Sequence, residues 1–534
     1  MVESIIEDQY TAARVYFSAV VAALFLEGIP RLAIYLNARF RGGRDKKSTP
    51  HWPITVFIHR TLTRRLPIPF LDDYHIADVV RFLVFAALNV IFGLNNNRFT
   101  TDYKLYGWLT IANGGLALLF STRSNLFAIL LRLPSPVVLQ YHRWAGLATV
   151  AHATAHFGYN VMHYIETDQL AIATTSTRIR VGIMAWLSLA LMFLTALPIV
   201  RRRFFESFYY AHFLFFVFVV GALIHTTNGP EFLLPGLSLW GVDRAIRFAY
   251  NFRKIRVQRV AYYEGGLTKL EVTGVKAASP GQIVWIQIPG VSFVNWHPFT
   301  VASVSRKSDS QEARKTMLAI RGLGGYTSAV QKLAGSPAES ETSLPEDNVK
   351  LRVDGPYGVG RFNWFQQRLV VLVAGGVGIT PGLSIASSII LAAVAGNKKR
   401  APKQHIHLLW TVKNAAHVSW FADELGALHT LCQNPDLGVS LTITIHVTGG
   451  IRKDESSDIH LQSSQSSGSG PWALESGRPN LVQWLGNIKD AHPGLDGAVN
   501  ACGPSTLLRD ARRACVSKST TSGLFYVEDE VFEL

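Results

Sequence analysis

The chain has 534 residues, a formal net charge of +15 and 48% hydrophobic residues, the apolar runs being concentrated before residue 250. Its three cysteines, Cys432, Cys502 and Cys515, lie in the polar half, which excludes a disulfide scaffold or a thiolate metal site and fits a cytosolic location for that half. A soluble nucleic-acid binder is excluded as well, because many of the basic residues sit in short loops flanking long apolar helices.

Seven membrane helices are predicted, over 11–36, 76–95, 104–122, 139–162, 181–200, 205–227 and 231–249. Gly28 and Pro30 interrupt the first and the seventh is short, so six is the alternative. The opening MVESIIEDQY is acidic and does not read as a signal peptide. Basic residues gather in alternate loops: Arg39 to Lys47 with Arg60, Arg64 and Arg65 after the first helix, Arg123 and Arg132 after the third, and Arg201, Arg202 and Arg203 after the fifth. Those loops are expected in the cytosol and the N-terminus outside, with Arg178 and Arg180 counting against it.

Two of the helices each carry a histidine pair. His142 and His156 are 14 residues apart on the fourth helix, and His212 and His225 are 13 apart on the sixth. Each pair is separated by roughly 20 Å of helix. Histidines in hydrocarbon are costly unless paired or liganded, and neutral imidazole is a good axial ligand for haem iron. The bland alternative is a set of helix-to-helix hydrogen bonds. Under the haem reading His142 pairs with His212 near the inner face and His156 with His225 near the outer one. An offset of 14 returns to nearly the same helix face, whereas 13 falls roughly 140° away and calls for a π-bulge, a kink or a haem approached from another side, with Gly221 marking a candidate irregularity. His152 reads as structural and His163 as interfacial. Arg143 either pairs with a haem propionate or snorkels to the inner surface.

Residues 253–362 read as a small β domain. Arg321, Gly324 and Gly325 before a helix make a reasonable anion-binding arrangement, although GGYT is also a plain helix-start turn. From 367 to 534 strands and helices alternate, which predicts a parallel sheet with helices on both faces. LVAGGVGITP supplies a glycine turn where backbone can approach a pyrophosphate. Residues 454–476 are serine-rich and are read as a disordered insertion.

The order of HPFTVAS at 297–303, IRGLGGYT at 320–327, VDGPYG at 353–358, AGGVGITP at 374–381, TGG at 448–450, GRP at 477–479, CGP at 502–504 and EVF at 530–532, after paired-histidine helices, resembles the fungal ferric reductases of the ferric reductase and NADPH oxidase superfamily. The resemblance covers the chain from about residue 76 onward. It implies a multidomain membrane flavocytochrome b: an N-terminal helix and basic loop (1–75), an all-α bundle binding two b haems (76–250), a β-barrel FAD-binding domain, and an NADPH-binding α/β domain of the ferredoxin–NADP reductase type.

By the same resemblance His297, Pro298, Phe299 and Thr300 carry the flavin site. Arg321, Gly324, Gly325 and Thr327 hold its pyrophosphate. Gly375, Gly376, Gly378, Thr380 and Pro381 hold the nicotinamide nucleotide. Arg478 and Pro479, with Thr448, take the 2′-phosphate, and Arg452 and Lys453 either add charge there or are solvated loop charges. Cys502, Gly503 and Pro504 flank the nicotinamide with no covalent role. Glu530 and Phe532 fit the C-terminal motif, but Leu534 stands where such reductases commonly have an aromatic. The long extracellular domain of many fungal members is missing from the N-terminus.

The implied activity moves electrons from cytosolic NADPH through FAD and two haems to a ferric or cupric chelate outside. The resemblance implies the plasma membrane, or that of the vacuole, as the location, and an iron permease or another membrane protein as a candidate partner. The alternatives are an oxidase that reduces oxygen to superoxide, and a non-enzymatic scaffold with degenerate redox domains.

Overall fold

The structure is a computed structural model that describes residues 6, 8–41, 50–66, 74–94, 103–250, 252–275, 279–293, 295–304, 315–322, 324–333, 350–358, 362–396, 403–449 and 471–530. All seven predicted helices form: α1 Gln9–Arg41, α2 Ile76–Gly93, α3 Tyr103–Leu119, α4 Ser135–Glu166, α5 Thr177–Ala196, α6 Phe205–His225 and α7 Gly229–Tyr250. The expected break in α1 does not occur, and the helix runs through Pro30. Gly28 answers instead to packing, since a Cβ there would stand 2.5 Å from the Leu131 Cβ. The seventh helix is a full 22 residues long.

Four stretches, Gln9–Ala33, Ile76–Gly93, Thr177–Ala196 and Phe205–His225, are long and apolar enough to cross a membrane on their own. Helix α3 is buried along most of its length among the others, with Leu109, Ala112 and Leu116 fully enclosed. Gly376–Val394 meets the same length and composition test. It is the helix behind a β-sheet, with Ile379, Leu383 and Ile390 in a protein core, so it is not a span.

Helix α6 is not uniform. A 3-10 turn over His212–Leu214 separates α-helical Phe205–Ala211 from Phe215–His225. Where a π-bulge, a kink or a haem approached from another side was expected, the helix has a tighter turn at the His212 end, and each residue of a 3-10 turn adds rotation beyond the α-helical step. Gly221 has a different task. A Cβ there would lie 3.0 Å from the Ala185 Cβ, so it lets α6 pack closely on α5.

The chain divides into two compact units, one of residues 1–33 and 78–246, the other of 34–77 and 247–533. The second holds two sheets. The first sheet is antiparallel and orders its strands β1-β2-β5-β4-β3-β6, with β1 Arg256–Tyr263, β2 Leu267–Thr273, β3 Ile283–Gln287, β4 His297–Val304, β5 Lys315–Arg321 and β6 Arg352–Tyr357. Among the described residues β1 and β6 do not pair, so the ladder is an open series. Helix α8, Gly325–Leu333, follows β5.

The second sheet is parallel and orders β10-β9-β8-β7-β11-β12, with β7 Leu369–Gly375, β8 Gln404–Val412, β9 Val439–Val447, β10 Ala473–Ser476, β11 Gly497–Cys502 and β12 Phe525–Glu530. Helices α9 Ile379–Val394, α10 Ala422–Cys432, α11 Leu481–Ala491 and α12 Ser505–Lys518 alternate with its strands. The chain runs outward from β7 to β10, then returns to lay β11 on the other side of β7. That reversal makes a topological switch point at the carboxyl ends of β7 and β11, the usual ligand position in such sheets.

Two sequence expectations are corrected here. The stretch read as insertion 454–476 ends in a strand, because β10 pairs in parallel with β9 from Ala473↔Thr444 to Ser476↔Val447. The loop after α1 is not simply a basic loop. Pro53–Thr63 is a helix, and it docks on the α/β domain: Arg60 donates from Nε to the Val516 carbonyl at 2.9 Å and from Nη2 to that of Ser517 at 2.8 Å.

Candidate functional site

The structure brings the four helix histidines together in two pairs. The rings of His142 and His212 are 6.1 Å apart centre to centre, and those of His156 and His225 are 6.2 Å apart. Two metal–imidazole bonds of about 2 Å each, plus half of each ring, give roughly this separation for two axial ligands of one ion. The ring planes cross at 62° and 78°.

The second nitrogen of each ring matters as much. His142 donates from Nδ1 to the Ala117 carbonyl at 2.8 Å, His156 to that of Tyr103 at 2.6 Å, and His225 to that of Arg178 at 2.9 Å. A ring whose Nδ1 carries the proton and is anchored to a carbonyl presents its Nε2 lone pair, as metal-bound histidines do. His212, in the 3-10 turn, differs: its Nδ1 is buried without a hydrogen-bond partner. Two glycines give the His156 and His225 rings their seats. A Cβ on Gly107 would stand 3.0 Å from His156 Cε1, and one on Gly182 would stand 2.8 Å from His225 Cε1 and Nδ1. Neither glycine nor any of the three carbonyls stood out in the sequence, because each acts through backbone or through an absent side chain.

His152 points elsewhere. Its Nε2 is 3.1 Å from Asn89 Oδ1, Asn89 Oδ1 also accepts from Asn113 Nδ2 at 3.1 Å, and Tyr16 donates to Asn113 Oδ1 at 2.7 Å. His163 stacks on Tyr103, and Arg143 is exposed.

In the antiparallel sheet, β4 sets His297 opposite Ile286 and Thr300 opposite Ile283. His297 stacks on Tyr326 at 3.9 Å, and burial lowers its pKa. Both His297 ring nitrogens and the Thr300 Oγ1 are buried without a protein partner. Such atoms are costly to leave unmade, which fits a polar ligand there. Pro298 and Phe299 stand between them on β4, half-buried. Gly324 and Gly325 open α8 with free space where a Cβ would be, and the Gly324 amide donates to Thr327 Oγ1 at 3.0 Å. Arg321 turns toward Gly376, a Cβ on which would be 3.5 Å from its Nη1, and its guanidinium lies over Trp420.

At the switch point the two glycine motifs interlock. A Cβ on Gly375 would stand 2.7 Å from Pro504 Cδ, and one on Gly378 would stand 2.6 Å from the Cys502 carbonyl oxygen. Gly376 adopts φ +56 and Gly503 φ +155, conformations that favour glycine. Thr380 and Pro381 begin α9 and are buried. Thr448 follows β9, donating its amide to the Val412 carbonyl, and the Gly477 amide donates to that of Val447. Thr448, two strands or roughly 10 Å from the β7 turn, and exposed Arg478, with Pro479 behind it, three strands or roughly 14 Å from it, thus share its carboxyl edge.

Cys502 is fully buried, and burial, with help from Glu530, raises its thiol pKa well above the usual value. Asn500 Nδ2 donates to Glu530 Oε1 at 3.1 Å. Burial, reinforced by the Glu528 carboxylate, nonetheless pushes the Glu530 carboxyl up to about 8. A group beside Cys502 that titrates near neutrality is a feature the motif alone did not indicate. Phe532, Leu534, Arg452 and Lys453 lie outside the described residues.

Three family models match in chain order: the ferric reductase like transmembrane component over 106–223, the FAD-binding domain over 252–361 and the ferric reductase NAD binding domain over 367–516. The chain belongs to the ferric reductase and NADPH oxidase superfamily. Within the superfamily it is 27% identical over 327 residues to ferric reduction oxidase 8, mitochondrial, of Arabidopsis thaliana, covering 60% of this chain and 43% of that protein. It is 29% identical over 289 residues to ferric reduction oxidase 3, mitochondrial, of the same plant, covering 52% and 38%. NADPH oxidase 1 of Mus musculus is 25% identical over 417 residues, 67% of each chain. The chain therefore spans less than half the length of those plant relatives. Among solved structures, the flavohemoglobin of Malassezia yamatoensis aligns over 85% of this chain and 98% of that one at 13% identity, with a TM-score of 0.38, too low to carry an argument.

Proposed function

We propose that this superfamily member takes reducing equivalents from NADPH on one side of a membrane and delivers electrons to a ferric chelate on the other. NADPH would supply a hydride, FAD would split it into single electrons, and two haems would carry them across the bilayer. The observation that carries the reading is the pair of histidine couples at one-ion spacing, with three of the four rings anchored through Nδ1.

Each set of residues has a physical task. His142 and His212 would hold the inner haem and His156 and His225 the outer one. His297 and Thr300 offer the flavin ring polar atoms that have no protein partner. Gly324, Gly325 and Thr327 at the start of α8, with Arg321, favour its pyrophosphate. Gly375, Gly376 and Gly378 let the backbone approach the nicotinamide nucleotide beside Cys502, while Arg478 and Thr448 receive the 2′-phosphate. The Glu530 carboxyl, held near neutrality, can keep or release a proton beside that switch point.

A second reading, in which oxygen is the acceptor, is favoured by the match to two thirds of the length of a mammalian NADPH oxidase. The test is NADPH-driven reduction of a ferric chelate by membranes containing the chain, with and without superoxide dismutase. An unchanged rate supports direct metal reduction. A rate that collapses moves the chain to the oxidase reading, and no NADPH-driven reduction at all overturns both.

A further inference from the structure

The helix Pro53–Thr63, between α1 and α2, is amphipathic in the inverted sense. At roughly 100° per residue, Ile54, Phe57, Ile58 and Leu62 fall on one arc of about 140°, and Val56, His59, Arg60 and Thr63 fall on the opposite side. The polar side faces protein. His59 Nε2 lies 3.0 Å from the Phe525 carbonyl, its ring meets Tyr526, Arg60 holds the Val516 and Ser517 carbonyls, and Val56 is buried. The apolar side faces outward: Phe57 is 65% exposed, Ile54 61% and, just before the helix, Trp52 77%. A surface helix ordinarily buries its apolar stripe and shows water its charges. Here the arrangement is reversed, so the outward face requires a partner of its own.

The chain indicates which partner. The helix is tethered at both ends to membrane helices, α1 ending at Arg41 and α2 beginning at Ile76. Besides Arg60 and Arg65, which are engaged with the α/β domain, the connecting stretch carries Arg44, Lys46, Lys47 and Arg64, a cationic set suited to an anionic leaflet. A tryptophan at the start of an apolar helix face is typical of the membrane–water boundary. A short helix with one apolar face and a basic surround lies in the headgroup layer rather than across it.

We propose that Pro53–Thr63 is an interfacial helix, its apolar face set in the lipid headgroup region and its polar face holding the nucleotide-binding α/β domain at the membrane surface. The segment then acts as an adaptor between two solvents, hydrogen-bonded to protein on one side and dissolved in lipid on the other.

The test uses the full chain in nanodiscs of phosphatidylcholine and phosphatidylserine, with Cys432→Ser removing the one half-exposed thiol. A nitrobenzoxadiazole label is placed at Phe57→Cys, at Ile54→Cys as a second position, and at exposed Gln483→Cys on α11 as the aqueous control. The expected result is blue-shifted emission at 57 and 54, and its loss when doxyl-labelled lipid is included, with neither change at 483. Blue-shifted emission that doxyl lipid does not quench would mean that protein covers the face, either this chain's own helices or a second copy. Unshifted emission would mean that water does. Each of those two outcomes overturns the proposal.

Discussion

Replacing Gly182 by alanine should remove one haem and spare the other. The added methyl would stand 2.8 Å from His225 Cε1 and Nδ1, where an unstrained contact is about 3.5 Å, so the ring must give by about 0.7 Å. Metal–ligand bonds tolerate shifts of about 0.2 Å. The ring cannot simply swing aside, because its Nδ1 donates to the Arg178 carbonyl at 2.9 Å and Arg178 Nε donates to the His225 carbonyl at 2.6 Å. Nor can α5 retreat freely, since Ala185 lies against Gly221 of α6. Relief in the protein alone costs about 1–3 kcal/mol, which leaves the bundle folded. The assay is haem per chain by pyridine haemochrome, with reduced-minus-oxidised spectra of purified protein. Gly182→Ala should fall from two haems to one, with the remaining signal sensitive to His142→Ala. Gly146→Ala on α4, where a Cβ meets nothing within 4 Å, should keep both. Two haems with unaltered spectra in Gly182→Ala would refute the assignment of His225 as an outer ligand.

Arg478→Ala should raise the KM for NADPH roughly ten- to hundredfold, the value of a charged hydrogen bond of about 1.5–3 kcal/mol, and leave that for NADH nearly unchanged. Equal effects on both nucleotides in steady-state kinetics would remove Arg478 from the 2′-phosphate site. Gly378→Ala puts a methyl 2.6 Å from the Cys502 carbonyl oxygen, so it should lower stability by about 1–3 kcal/mol and weaken nicotinamide nucleotide binding while haem content stays at the wild-type level. The pH dependence of stability should carry two opposite slopes. Glu530 has a folded pKa raised from 4.5 to about 8, so its contribution is complete below 4.5 and is lost as pH rises through 8. His407, packed against His492 and His405, is lowered from 6.5 to about 4 by burial, so its contribution is complete above 6.5 and is lost as pH falls through 4. Thermal midpoints from pH 4 to 9 check both: Glu530→Gln should remove the alkaline slope relative to wild type, and His407→Gln the acid one.

The helices, the histidine pairs and the glycine turns were legible because their physics is local: apolar length, costly imidazoles in hydrocarbon, and strand-to-helix turns. What pairs with what was less so. The offset of 13 between His212 and His225 is a misfit of roughly 140° on an ideal helix, of which the 3-10 turn at His212–Leu214 supplies roughly 60°, and helix winding at that scale is set by packing. Gly107 and Gly182 carry no chemistry of their own and gain meaning only from the rings behind them. Strand β10 was hidden at the end of a serine-rich run, because four residues pairing on one edge leave almost no periodicity. Gly376–Val394 shows the converse ambiguity: composition cannot separate a lipid-facing helix from one buried against a sheet.

The unit that contains both sheets is assembled from two separated pieces of chain, 34–77 and 247–533. Near the chain's end Asp529 accepts from Arg512 of its own domain and, at 3.3 Å, from Arg65 of the early piece, while His51 reaches Asp496 at 2.8 Å. During synthesis the early piece emerges first and waits for more than four hundred residues before its partner exists, with α2 to α7 threaded in between. Such distant closure is slow, and the waiting helix keeps its polar face, His59 and Arg60 included, without its protein partners meanwhile. A fragment cut at the start of β1 would likewise lack Arg65, His51, His59 and Arg60, leaving Asp529 with one guanidinium and the carbonyls at the end of α12 bare. The unit that holds both sheets is therefore not self-sufficient without residues 34–77, and β12 is finished by side chains from that early piece.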